Sequence, residues 1–391
     1  MYVIWHNNDY DFARWVYLNS DLSKLKDSVI IRPIPKTNKK STILALFDQK
    51  TDFDILPAIK YDTPDIIIQY IDEKRNDSKI LIVTEFMTHT PQHHHPLQRF
   101  SRIYGSSELK LPTVLVLPNS KIKLERKNGT YKPTKYKTNP LIYHIFLRTS
   151  KINGSPTLIF WWPDYEGYLK NDKKHPTAPF INEQIARWFY LLNLTMKHDN
   201  IDYTEDHEIK KQVKLMVETS KYIDKKQTEL NKNWNKEYKL KTIAILPTST
   251  VIKKFNLDQD NLPECFKRRS KTLVFTPMGL NAPSSPFRTD PYAGMLCAFD
   301  NLFCKGENGF RNTNLVLRAK NVSYGESLFE KIKHNKETCP FLILNISQKI
   351  DVKKIKEHLE NCPFTKTKQQ RIYGQVADII IFDDFVYFKS E

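Results

Sequence analysis

The chain has 391 residues, of which 40% are hydrophobic and 12% aromatic. This composition excludes a disordered protein and leaves room for two domains. The formal net charge of +17 favours a polyanionic partner, and the ten glycines include no Gly-rich loop of the kind that binds nucleotide phosphates.

The five cysteines are scattered, and none forms a C-x-x-C pair. This pattern is typical of a reduced, intracellular protein. The first nine residues lack the basic and then apolar regions of a secretion signal, and no apolar run approaches the length of a membrane span. We therefore expect a cytoplasmic protein with no membrane partner.

The N-terminal part is predicted to begin with a short helix over residues 9–20, with Phe12, Trp15 and Val16 on its apolar face. Strand-like apolar runs follow at 29–31 and 43–47. Three aspartates come after the second run, each either an extra acidic ligand or part of an exposed acidic loop: Asp48, Asp52 and Asp54.

Two short β-branched runs, at 64–68 and 80–85, flank a polar segment and predict a β-hairpin. Asp65 opens the first run and Glu85 closes the second, so the closed hairpin would make them neighbours. Two adjacent carboxylates repel each other unless a cation lies between them. Their oxygen atoms suit Mg²⁺, which keeps open positions for water and phosphate.

A helix is predicted next, from about residue 96 to 109, before another strand at 114–117. Leu97, Phe100 and Ile103 fall on its apolar side. Gln98 and Arg102 project to the opposite side, with Arg99 on the flank. This polar face is either a solvated basic surface or part of a site.

The sequence resembles the PD-(D/E)XK nuclease superfamily in two ways. It has Pro64-Asp65 followed by Glu85 at the end of a strand, and its predicted elements come in the order strand, strand, helix, strand. Many type II restriction endonucleases have this fold. The resemblance covers residues 40–120 and implies an α/β (α+β) fold, a mixed sheet flanked by helices. It also implies that Asp65 and Glu85 hold Mg²⁺, and that the helix carrying Gln98 lends polar groups to the active site and to DNA phosphates.

The sequence departs from the superfamily pattern two residues after Glu85, where a lysine is usual and Met87 stands instead. Strand periodicity would place that lysine on the same face as the glutamate, and a thioether can neither donate a proton nor hold a charge. The replacements considered are Thr88, His89, Gln92 and Gln98. The departure leaves open a nuclease-like scaffold without catalysis.

The run His93-His94-His95 is interpreted as an exposed loop tip rather than a metal site, because three consecutive side chains cannot converge on one ion in regular structure. His89 and His93 are the histidines for which a role in phosphate contact or proton transfer is considered.

Residues 121–137 form a basic stretch, predicted as a loop in which Lys121 and Lys123 contact DNA phosphates or are simply solvated. A strand pair is predicted at 141–147 and 158–162, and a helix at 181–194. Residues 209–241 have a long amphipathic pattern that predicts a connector helix with a lysine-rich face.

Residues 242–391 predict a second α+β unit. Its expected strands are 242–246, 272–275, 314–317, 341–346 and 377–387, and its expected helices are 292–303 and 352–361. Arg288 and Arg318 could contact DNA bases or form structural salt bridges.

The predicted organisation is a nuclease domain (1–195), a helical connector (196–241) and a C-terminal domain (242–391) that assists DNA recognition. The predicted function is Mg²⁺-dependent cleavage of double-stranded DNA, with Asp65, Glu85, Gln98 and His89 as catalytic residues. Arg99, Arg102, Lys121, Lys123, Arg288 and Arg318 are the predicted DNA contacts. A catalytically inactive DNA-binding protein and an RNA-directed nuclease are the alternatives, and a homodimer is left open.

Overall fold

A computed structural model provides the structure, and its described residues are 1–34, 55, 58–59, 63–87, 99–117, 122–127, 130–135, 141–161, 183–198, 201–221, 243–257, 259–275, 302, 311–318, 377–381 and 386–388. The chain separates into two compact units, Met1–Ile223 and Asp224–Glu391. In the described part of the chain, no helix combines the length and apolar character needed to cross a bilayer.

The first unit is built on a six-stranded mixed sheet with the order β2-β1-β3-β4-β5-β8. Strand β1 pairs antiparallel with β3, and β3 pairs antiparallel with β4, whereas β4, β5 and β8 run parallel and β1 runs parallel to β2. The strands are β1 (Tyr2–His6), β2 (Val29–Pro33), β3 (Ile66–Asp72), β4 (Asp77–Phe86), β5 (Thr113–Leu117) and β8 (Thr157–Trp161).

Helices flank this sheet, which confirms the predicted mixed α/β class. They are α1 (Tyr10–Asn19), α2 (Phe100–Glu108), α3 (Leu141–Asn153), α4 (Glu183–Lys197) and α5 (His207–Lys221). Helix α2 connects the parallel strands β4 and β5, a connection that needs a crossover element. Asp9 caps the N-terminus of α1, and its side chain accepts a hydrogen bond from the Phe12 amide at 3.1 Å.

Strand β5 and the segments 66–69 of β3 and 80–86 of β4 are buried, which explains their largely apolar sequences. Ile66, Ile67 and Ile68 of β3 are buried, and every residue of β5 is buried. In the β3–β4 pair, Ile66 lies opposite Thr84. This register brings the residue before β3, Asp65, beside the end of β4, which carries Glu85.

An aromatic cluster packs helices α1 and α4 against the end of β4. The ring of Phe12 lies 4.2 Å from that of Phe86, and the ring of Trp188 lies 6.1 Å from Phe12 and 6.2 Å from Trp15. Burial of such large side chains contributes several kcal/mol to stability. The strand end next to Glu85 is therefore supported by the main core of this unit.

Helix α5 belongs to the first unit and packs on β8 and α4. The Gln212 amide donates to the Ile159 carbonyl at 2.5 Å and to Gln184 at 2.8 Å, and the buried Arg187 of α4 donates to Glu208 at 2.9 Å. Residues 222–242 lie outside the described residues, so the predicted connector 196–241 is seen only in its first half.

Two predictions for this unit were wrong. Residues 141–147 belong to helix α3 rather than to a strand, because Ile142, Phe146 and Thr149 are buried at helical spacing. Residues 121–137 were predicted as a loop but contain a hairpin of β6 (Ile122–Lys127) and β7 (Thr130–Lys135). Strand β1 was not predicted, and the predicted strand 43–47 lies outside the described residues.

The second unit contains a five-stranded sheet with the order β13-β12-β11-β10-β9. Strands β10, β11 and β12 are parallel, and β9 and β13 pair antiparallel at the two edges. The elements are β9 (Ile243–Pro247), α6 (Thr248–Lys254), α7 (Glu264–Arg268), β10 (Lys271–Phe275), β11 (Thr313–Arg318), β12 (Ile379–Ile381) and β13 (Val386–Phe388).

This sheet confirms the strands predicted at 242–246, 272–275 and 314–317, and the predicted final strand 377–387 is a pair, β12 and β13. Val251, Phe266, Val316 and Ile379 form the centre of its core. The strand predicted at 341–346 and the helix predicted at 352–361 lie outside the described residues, as does the helix predicted at 292–303 except for residue 302.

Trp188→Ala is expected to lower the free energy of unfolding by about 3–5 kcal/mol, because a cavity would open between α1, α4 and β4. Urea unfolding followed by circular dichroism measures this change. Tyr190→Ala, on the same helix but exposed, is the matched control and should cost less than about 1 kcal/mol. Equal losses in the two variants would contradict the assignment of Trp188 to the core.

Candidate active site

Asp65 and Glu85 meet at one end of the β3–β4 hairpin, as the sequence predicts. The Asp65 carbonyl accepts the Asn7 amide at 2.9 Å, which ties it to the chain just past β1. Its side-chain Oδ2 accepts the Phe86 amide at 2.8 Å. Asp65 is thus held from both sides, by its backbone and by its carboxylate.

Helix α2 brings two guanidinium groups to these carboxylates. Arg102 Nη1 lies 2.8 Å from Glu85 Oε1 and 3.5 Å from Asp65 Oδ1. Arg99 Nη1 lies 2.9 Å from the same Glu85 oxygen. The apolar side of α2 buries Phe100 and Ile103, and this packing turns Arg102 toward the carboxylates.

The electrostatics follow from burial. The Glu85 side chain is 0% exposed, and a buried carboxylate is costly unless it is paired and hydrogen-bonded. Burial raises the pKa of Asp65 above its ordinary value, while Arg102, the Phe86 amide, Arg99 and a hydrogen bond with Glu85 act in the opposite direction. The two acids and two arginines form one coupled group.

Met87, two residues after Glu85, is 3% exposed. Its amide donates to the Val116 carbonyl at 2.9 Å, so the chain still follows β5 beyond the end of β4. A buried thioether offers no positive charge. Among the described residues, the side chain with ion pairs to both acids is Arg102, and it comes from α2 rather than from β4.

The other predicted site residues are not among the described residues that surround Asp65 and Glu85. His89, Gln98, Lys121 and Arg288 lie outside the described residues, as do Asp48, Asp52, Asp54 and the run 93–95. Lys123 lies in β6. Arg318 ends β11 in the second unit, with its guanidinium carbon 5.9 Å from the centre of the Phe255 ring, a cation–π contact.

Arg99 and Arg102 were predicted to contact phosphates, but in this structure they contact carboxylates. Their role toward DNA therefore stays a prediction. Sequence analysis missed the pairing of these arginines with Asp65 and Glu85. A usable signal was present, because Glu85 sits in an apolar strand and needs a nearby cation, and Arg99 and Arg102 are the basic residues of the following helix segment.

The Asp65 and Glu85 carboxylates are the oxygen ligands that this site could offer to Mg²⁺. No group of three or more His, Cys, Asp or Glu side chains able to hold a metal occurs among the described residues. Mg²⁺ at phosphate-handling sites needs only one or two carboxylates, with water and phosphate filling its other positions. Asp65 and Glu85 fit that requirement, although Arg99 and Arg102 would compete for the Glu85 oxygen.

No protein-family model matches this sequence, and comparisons with curated proteins and with solved structures also give no match.

Asp65→Asn is expected to change how stability depends on pH. Because the pKa of Asp65 is raised in the folded state, its favourable contribution is fully present below the ordinary value of about 3.9 and is lost as the pH rises through the folded-state pKa. The stability of the original chain relative to Asp65→Asn should therefore fall as the pH rises from about 4 through the raised folded-state pKa of Asp65.

Urea unfolding at several pH values, with a chelator present to exclude metal ions, measures this difference. Asp77→Asn, at the other end of the same hairpin, controls for the general effect of removing a carboxylate. A difference between the original chain and Asp65→Asn that does not vary with pH, or that grows as the pH rises, would contradict the expectation.

Proposed function

We propose that this chain is a metal-dependent endonuclease of the PD-(D/E)XK type that hydrolyses phosphodiester bonds of double-stranded DNA. The observation that carries the proposal is the meeting of the Asp65 and Glu85 carboxylates at the end of an antiparallel hairpin. In support, that hairpin continues through helix α2 into the parallel strand β5. The net charge of +17 suits a polyanionic substrate.

In the proposed mechanism, Asp65 and Glu85 would hold Mg²⁺, and the bound ion would lower the pKa of a water molecule and stabilise charge on the phosphate. The Phe86 amide fixes the orientation of the Asp65 carboxylate. The buried position of Glu85 restricts its side chain to one direction. Such restraints keep the acids in place before substrate arrives, which is how preorganised sites accelerate reactions.

Arg102 and Arg99 would serve the substrate in this mechanism. Their side chains are 18% and 32% exposed, so each retains access to a ligand while contacting an acid. A guanidinium forms strong charge-assisted hydrogen bonds with phosphate oxygens. Arg102, which reaches both acids, would stabilise negative charge on the scissile phosphate in place of the lysine absent at Met87.

A second candidate is a DNA-binding protein that uses the same scaffold without cutting. The specific observation in its favour is that Glu85 already contacts two guanidinium groups, while the position of the usual lysine is a buried methionine. Two negative and two positive charges balance without a metal ion. Under this reading, the group would hold helix α2 to the sheet and have no chemical role.

Asp65→Asn and Glu85→Gln are each expected to lower Mg²⁺-dependent cleavage of duplex DNA by at least about a hundredfold, or about 2.7 kcal/mol of transition-state stabilisation. Both changes keep the side-chain shape and remove the negative charge that a metal ion needs. Single-turnover cleavage of a plasmid and of a structured RNA, with and without Mg²⁺, measures the effect and the preferred nucleic acid.

Glu73→Gln, at the exposed tip of the same hairpin, is the matched control and should cut at the original rate. Original rates in Asp65→Asn or Glu85→Gln would eliminate this site. Firm DNA binding by the original chain, with no cleavage in Mg²⁺ or Mn²⁺, would favour the second candidate instead.

Arg99→Ala combined with Arg102→Ala is expected to lower the single-turnover rate at saturating Mg²⁺ by at least about tenfold, equivalent to about 1.4 kcal/mol. The physical reason is the loss of two charge-assisted donors to phosphate. Lys74→Ala with Arg75→Ala, at the hairpin tip, removes the same charge elsewhere and should have little effect. Replacement of all three histidines at 93–95 should cost less than the double arginine change; the opposite ranking would contradict this role for α2.

A further inference from the structure

A second arginine-rich arrangement lies in the second unit, where the parallel strands β10, β11 and β12 begin. Because these strands run in the same direction, their first residues share one edge of the sheet. Arg269, just before β10, reaches across this edge. Its Nη1 donates to Asp378 Oδ1 and to Asn314 Oδ1, each at 3.2 Å.

The groups that hold Arg269 are themselves fixed. Asp378 is buried, accepts the Leu315 amide at 2.7 Å and also contacts the Arg311 guanidinium. Asn314 is fully buried, and its Nδ2 donates to the Phe266 carbonyl at 2.8 Å. Arg269 is therefore attached to the sheet interior through one nitrogen, which restricts the orientation of its guanidinium plane.

Within the described part of the chain, the remaining donors of Arg269 have no acceptor. Its side chain is 22% exposed, and no acceptor for its Nε or Nη2 is found among the described residues. A planar guanidinium held at one end presents the other donors as a fork that matches two phosphate oxygens. Fixing it in advance lowers the entropy lost on binding.

Two further cations flank Arg269. Lys271 is exposed and lies two residues after Arg269, at the start of β10. Arg268, the last residue of α7, is exposed as well. A single phosphate ion would need only the fork, whereas three adjacent cations suit the successive charges of a nucleic-acid backbone.

We propose that Arg269, Lys271 and Arg268 bind phosphates of the duplex DNA backbone, with Arg269 as the fixed fork. The identity of the ligand as DNA rests on the proposed function. This site replaces neither Arg288 nor Arg318 as a base contact, since backbone phosphates position a protein without reading sequence.

The test uses the full chain carrying Asp65→Asn, which prevents cleavage, and measures binding of a fluorescent duplex over a series of salt concentrations. Arg268→Ala with Lys271→Ala is expected to weaken binding by about tenfold at moderate salt and to reduce the slope of log affinity against log salt by roughly 1.8, for two lost phosphate contacts. Lys253→Ala with Lys254→Ala, in the last turn of α6 of the same unit, is the matched control and should leave the slope unchanged.

Arg269→Lys tests the fork itself, because it keeps the charge and removes the paired donors. It is expected to weaken binding by several-fold while changing the salt slope little. Circular dichroism melting checks its fold; if this variant is unfolded, the exposed pair Arg268 and Lys271 decides the question. If Arg268→Ala with Lys271→Ala gives the same salt slope as the control Lys253→Ala with Lys254→Ala, the proposal is overturned.

Two further measurements separate the sources of failure. Inorganic phosphate at constant ionic strength should not displace the duplex; displacement would overturn the assignment to the backbone and favour a free phosphate ligand. Cleavage by the chain with Asp65 intact reports on the proposed function alone. If the chain with Asp65 intact cleaves DNA but Arg268→Ala with Lys271→Ala leaves the salt slope unchanged, the phosphate site is overturned. If that double change reduces the slope but the chain with Asp65 intact does not cleave, the phosphate site is supported and the nuclease is contradicted.

Discussion

The first unit depends on the pairing of a carboxylate that has no contact with solvent. Glu85 lies in the interior and would be strongly destabilising as an unpaired anion. Its pairing with Arg102 and Arg99 therefore fixes the rotation of helix α2 about its own axis as well as the end of β4. The same contact that stabilises the fold also assembles the candidate site, so a change here alters both the packing of α2 and the geometry of the site.

Because side chains alternate along a strand, Glu85 can belong to the candidate site while its neighbour Phe86 belongs to the hydrophobic core. Successive side chains of β4 point to opposite sides of the sheet, and Phe86 packs against Phe12 while Glu85 binds the arginines. The backbone amide of Phe86 also holds Asp65. The Glu85 side chain, the Phe86 amide and the Phe86 ring follow one another along the chain. They bind the arginines, Asp65 and the aromatic core, respectively.

Local patterns predicted the hairpin and the meeting of Asp65 with Glu85, because both follow from strand period and a polar turn. The strand predicted at 141–147 was wrong because a short apolar run does not distinguish strand from buried helix. The hairpin of β6 and β7 was missed although Asn128-Gly129, a pair typical of two-residue turns, stands between the strands. The pairing of Arg102 with the two acids was missed although the buried Glu85 called for a nearby cation, whereas its distances to the two carboxylates depend on how α2 packs against the sheet.

Asp65 and Asp378 make similar contacts, each within its own unit. Each precedes a run of three isoleucines, pairs with arginine, and accepts the backbone amide of an adjacent strand, Phe86 in one unit and Leu315 in the other. These two amides are bound by carboxylate side chains. Their hydrogen exchange with solvent therefore reports the presence of one carboxylate each, whereas exchange elsewhere in the same strands reports the opening of the sheet.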